Sequence, residues 1–100
     1  MPKDPKRLEV LSGQVKALRN AIRLNNFKRA QHLRMGLAGS LRHLEPPLQD
    51  DIARLFEISG LWLRNVGDRH DAKRQVRRLI RRIIPRLSVR SQLGKLERGL

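Results

Sequence analysis

Leu8, Leu11, Val15, Leu18 and Ile22 recur at spacings of three and four, which only a helix places on one face. The same rhythm returns in Phe27, Ala30, Leu33, Leu37, Leu41 and Leu44, and again in Ala72, Val76, Leu79, Ile80 and Ile83. The apolar residues, 39% of the chain, are mostly Leu and Ile, with no Tyr and only three aromatics. That mixture favours helix over sheet. The expectation is an all-α chain of 100 residues folding as one domain, a compact bundle of four or five helices.

Punctuation sets the boundaries. Residues 1–6 hold two prolines and three charges and read as a frayed lead-in to a helix over 6–24. Asn25-Asn26 interrupts the first stripe, either as the joint between two helices or as a bend in one rod, with a second stripe over 27–44. Glu45-Pro46-Pro47 is the clearest stop, because Pro lacks a donor and drives the preceding residue out of helical geometry. Pro47 then suits the first turn of a helix over 48–66. Gly67 ends that helix and Asp68 caps the next, predicted over 69–84 and stopped by Pro85. Residues 85–100 form a tail, in which Val89, Leu93, Leu96 and Leu100 suggest a short helix at 89–98 able to join two copies into a homo-oligomer.

Charge narrows the partners. The chain carries 23 Lys and Arg against nine acids, a net +14. Such self-repulsion is relieved by a polyanion, with nucleic acid ranked first and an anionic membrane or acidic protein behind it. The charge is also segregated: +8 over 1–44, −3 over 45–68, +8 over 69–90 and +1 in the tail. On a helical wheel Lys73, Arg74, Arg77, Arg78 and Arg81 cover the face opposite the apolar stripe, with Arg82 and Arg86 at its edge. A guanidinium binds phosphate through two parallel hydrogen bonds, so this face can follow a phosphate backbone. The same pattern suits a membrane surface, but the aromatic anchors are missing. A solvated face without a ligand is the bland alternative.

Catalysis has little to draw on. Cysteine is absent, and His32, His43 and His70 are scattered without metal-ligand spacing. His70 between Asp68 and Asp71 reads as a capping cluster. Phosphate loops and nucleophile motifs are missing too. The expectation is a non-enzymatic protein without metal or cofactor. With no apolar leader and no membrane-spanning run, the expected compartment is the cytoplasm.

Two resemblances refine this. In residues 48–69, Ile52-Ala53 form an apolar–Ala pair, Phe56 follows three positions after the Ala, and Ile58 comes next. Leu63 and Val66 stand ten and thirteen after the Ala, Asp50-Asp51 open the segment, and Ser59 occupies a capping position. This pattern resembles the helix-turn-helix of bacterial DNA-binding proteins, except that Glu57 stands where a turn Gly is expected. The resemblance implies a DNA-binding regulator in which Ser59, Gly60, Leu61, Arg64 and Asn65 face the major groove. Arg64 would suit guanine and Asn65 adenine. The alternative is one continuous amphipathic helix with Trp62 in the core.

The whole-chain layout also resembles flagellar export chaperones of the FliT type. Residues LRNAIRLNNFKRAQHL would be a bend in a long first helix, followed by a proline-marked loop, a second long helix and a short terminal helix at Ser88–Leu100. That resemblance implies an export-substrate protein as partner. Nucleic acid, DNA ahead of RNA, ranks first on charge.

Overall fold

In the computed structural model, the backbone is described for residues 5–99 and the side chains for residues 7–87. The described residues form four α-helices and one 3-10 turn: α1 (Pro5–Arg23), α2 (Phe27–Ser40), the 3-10 turn (Leu41–His43), α3 (Pro46–Leu63) and α4 (Arg69–Gly99). Each helix packs against its neighbours in sequence, and α1 closes the ring on α4. Short connectors between packed neighbours make them antiparallel, an up-down-up-down bundle. The molecule measures 49 × 21 × 21 Å. At 1.5 Å per residue α4 alone is about 46 Å long, so it spans the long axis.

The predicted stripes are the core. Leu8, Leu11, Val15, Leu18 and Ile22 of α1 meet Leu48, Ile52, Leu55 and Trp62 of α3 and Val76, Ile80, Ile83 and Leu87 of α4. The second helix contributes least, with Ala30 and Leu37 its buried residues.

Two turns at one end of the bundle share a design. Asn25 and Asn65 both adopt φ 56°, the left-handed region that Asn tolerates better than most residues. After α1, Asn26 N–H donates to the Ala21 carbonyl (2.8 Å) and Asn25 N–H to that of Ile22 (3.1 Å). After α3, Val66 N–H donates to Leu61 (2.9 Å) and Asn65 N–H to Trp62 (3.2 Å). Both are Schellman closures, which satisfy the last carbonyls of a helix. The next helix is then capped by a side chain: Asn26 Oδ1 accepts from Arg29 N–H (3.2 Å), and Asp68 Oδ1 accepts from His70 N–H (2.8 Å). Asn25-Asn26 is therefore a joint between two helices, and Asp68 caps as expected.

Several boundaries differ from the expectations. The first helix begins at Pro5, inside the stretch read as lead-in, and the third ends at Leu63, because Asn65 takes the left-handed position first. Residues 57–59 form no turn: α3 runs unbroken from Pro46 to Leu63. Glu57 is a good helix former, and with no Gly there a left-handed turn would cost about 1–2 kcal/mol. Pro85 does not stop the last helix, which continues to Gly99 with Pro85 inside it. Pro85 and Arg81 are both exposed, so the carbonyl that loses its donor lies on the wet side, while Leu87 extends the buried stripe past the proline. The separate terminal helix is thus the continuing end of α4. The side chains of Val89, Leu93, Leu96 and Leu100, offered as an oligomer contact, lie outside the described residues.

Candidate nucleic-acid interface

The fourth helix buries Ala72, Val76, Leu79, Ile80 and Ile83 and turns its cations outward. Arg74, Arg77, Arg78, Arg81 and Arg82 are exposed and Lys73 is half-buried. Helical geometry sorts them into rows, since residues four apart share a face and rise about 6 Å. Lys73, Arg77 and Arg81 form the row that flanks α1, and Arg74, Arg78 and Arg82 form the next row, from which Arg78 and Arg82 line the α3 side.

The two flanks are different sites. On the α1 side an open cleft of about 470 Å³ is lined by Arg19, Asn20, Ile22 and Arg23 of α1 and by Lys73, Val76, Arg77 and Arg81 of α4. Five cations share it, and none of the residues lining it is a carboxylate. Among the described residues these five have no acid within ion-pair distance. On the α3 side a cleft of about 610 Å³ is lined by Arg54, Ile58, Asp71, Gln75, Arg78, Leu79 and Arg82. Here acids intervene. Asp51, its side chain 10% exposed, accepts from Arg82 (2.8 Å) and Arg86 (2.6 Å) through its two oxygens. Asp71 accepts from the Gln75 amide (2.7 Å) and lies 3.8 Å from Arg74.

The residues predicted to read bases do not come together. Ser59 is fully buried, not facing a partner: its hydroxyl donates to the Leu55 carbonyl (2.7 Å) and accepts from Arg34 Nε (3.0 Å). The absent turn explains this, because a continuous helix carries Ser59 round to the packed side. Asn65 is the left-handed residue that closes α3. Arg64 is exposed but bends back toward the Gly60 carbonyl (3.3 Å).

Ser59 and Gly60, expected to face a groove with Ser59 as a cap, have another use. Arg34 of α2 reaches across to α3, donating from Nε and Nη2 to the Phe56 carbonyl (3.0 and 2.7 Å) and stacking over the Phe56 ring at 4.0 Å. A Cβ on Gly60 would collide with that guanidinium, so the glycine opens a notch for it. Burial, and secondarily the Arg64 charge, lower the Arg34 pKa from its ordinary value.

Sequence reasoning missed Arg19, Arg23 and Arg54. The first two were legible as an i, i+4 pair beside the α1 stripe, but nothing in the sequence tells which helix α1 lies against. Among the described residues no group of three or more His, Asp or Glu could hold a metal, and no helix is long and apolar enough to cross a membrane. Comparison with protein-family models finds no match, and comparisons with characterised proteins and with solved structures find none either.

Proposed function

We propose that this chain is a non-enzymatic, cytoplasmic nucleic-acid-binding protein that engages phosphates through the outward cations of α4. One observation carries the reading: Lys73, Arg77, Arg78 and Arg81 stand exposed or half-exposed in rows on one helix, with no carboxylate within ion-pair distance among the described residues. Like charges four apart on a helix cost about 0.2–0.5 kcal/mol per pair. A bound phosphate backbone turns that repulsion into attraction. Arg64 and Arg74 add exposed cations at the margins. Arg82 contributes less, since Asp51 already holds it. Base reading by Ser59 and Asn65 is not part of the proposal, and with it goes the support for a sequence-specific regulator.

The test is a binding series against duplex DNA, single-stranded DNA and RNA at rising salt. Released counterions make the logarithm of affinity fall linearly with the logarithm of salt, by about 0.9 per phosphate contacted on duplex. Slopes of several units are expected, and a slope near zero on all three polymers would end this reading.

A second reading, a protein-binding chaperone or adaptor, has one observation in its favour. Leu24, Phe27 and Val66 are 69%, 40% and 53% exposed beside the two Schellman turns, at the same end of the bundle. An apolar contact of that kind tolerates salt, so the same titration against a protein partner separates the two.

A further inference from the structure

We propose that the cleft between α1 and α4 is a two-walled seat for one phosphodiester strand, held by its phosphates without regard to base sequence. The inference rests on the nucleic-acid reading above and adds Arg19 and Arg23 as binding residues.

Arg19 and Arg23 are one helical turn apart on α1, and Lys73, Arg77 and Arg81 occupy three successive turns of α4. The α4 row is about 12 Å long, from the rise of eight residues. A duplex rises about 3.4 Å per phosphate along its axis, and the winding strand separates neighbouring phosphates by roughly twice that, so the row spans about three phosphates. Cations on both sides of a trough attract a chain of single charges more strongly along the trough than over the neighbouring row, where Arg74 and Arg78 stand one turn apart on α4. The α3 cleft lacks this property, because Asp71 lines it and Asp51 holds Arg82, one of its cations.

The floor explains why sequence is not read. It consists of Ile22 and Val76, with Asn20 as the one uncharged polar side chain. Sequence-tolerant grip on unpaired bases uses aromatic rings as stacking platforms, and none lines this cleft. All three aromatics are engaged elsewhere: Phe27 stacks on Trp62 at 4.8 Å, and Phe56 lies under Arg34. What remains is a row of guanidiniums, which recognise phosphate oxygens.

The experiment compares the full chain with Arg19→Gln/Arg23→Gln and with Arg74→Gln/Arg78→Gln. Binding is read by anisotropy on labelled duplexes of unrelated sequence and on single strands, with inorganic polyphosphate as competitor. Circular dichroism checks that each variant stays helical; all four arginines are exposed. Arg19→Gln/Arg23→Gln should lower the salt slope by about two units, one per lost contact, equally on every sequence. Polyphosphate should compete, and should itself bind the variant less well. If the slope survives in that variant but falls in Arg74→Gln/Arg78→Gln, the strand lies on the Arg74–Arg78 row toward α3 and the groove proposal is overturned, while nucleic-acid binding stands. Losses that depend on sequence, or polyphosphate that fails to compete, overturn the base-blind part. A full chain whose affinity ignores salt removes both.

Discussion

The two clefts beside α4 are built from the same helix but differ in what faces them. The α1 wall supplies Arg19 and Arg23, and the lining of that cleft is wholly cationic or uncharged. The α3 wall supplies Asp51, which ties down Arg82 and Arg86 with bonds of 2.8 and 2.6 Å. One side of α4 therefore uses its cations to hold the bundle together, and the other side leaves them unspent. A helical wheel of α4 alone puts Arg77 on the outer face and Arg82 at its edge, but does not tell which of them meets an acid. Their roles diverge because helix packing gives one an acid and the other a second set of cations.

The largest expected effect comes from the α1 side, where apolar packing works without an intervening ion pair. Ile22 is 2% exposed and forms the floor of the cationic cleft with Val76. Ile22→Ala should destabilise the fold by roughly 2–5 kcal/mol, through lost transfer energy and the cavity left behind. The cost should hardly vary with salt. Urea melts followed by Trp62, the sole tryptophan, would measure it. A cost below about 0.5 kcal/mol would mean that α1 is not packed on α4 as described.

The α3 side should respond differently. Asp51→Asn keeps the shape and removes the charge that Arg82 and Arg86 share. Both arginines are about half-exposed and can swing into water, so the loss should be about 1–2 kcal/mol, below that of a fully buried pair. Salt should shrink it. Meanwhile the salt slope of nucleic-acid binding should change by less than about one unit, because the proposed strand seat lies on the other flank of α4. A slope steeper by about two units in Asp51→Asn would break the comparison, since it would show that a strand contacts Arg82 and Arg86 once their acid is gone.

How much of this was legible depends on what each residue had to know. The core stripes were readable because helical spacing is a local property, and Asp68 was readable as a cap because its partner is two residues away. Pro85 misled because a proline's effect depends on which face it occupies, and the exposed side of a helix that keeps burying Leu87 tolerates it. Ser59 and Gly60 misled for a longer-range reason. Their small size serves Arg34, which is 25 residues from Ser59 in the chain. The basic face of α4 was visible at once, but its division into bound and free arginines needed Asp51 and Arg19 to be placed beside it.

Glu57 offers the smallest effect and the sharpest sign. The wall of the α3 cleft includes Arg54 and Ile58, on either side of Glu57, so that cleft exists only if α3 runs through this position as a helix. Glu57 is exposed, and no ion pair to it is formed among the described residues. Replacing it therefore reports mainly on backbone preference. In a continuous helix Glu57→Gly loses a good helix former and should destabilise by roughly 0.5–1 kcal/mol relative to Glu57→Ala. In a left-handed turn the order reverses, because Gly enters that region freely while a side chain costs about 1–2 kcal/mol. Paired urea melts of the two variants resolve a difference of this size when unfolding is two-state. Gly is expected to be the worse of the two. If Gly proves the better, α3 breaks at Glu57, the α3 cleft loses its wall, and Ser59 leaves the interior. Arg64 and Asn65 would then regain the base-reading roles that a continuous helix denies them.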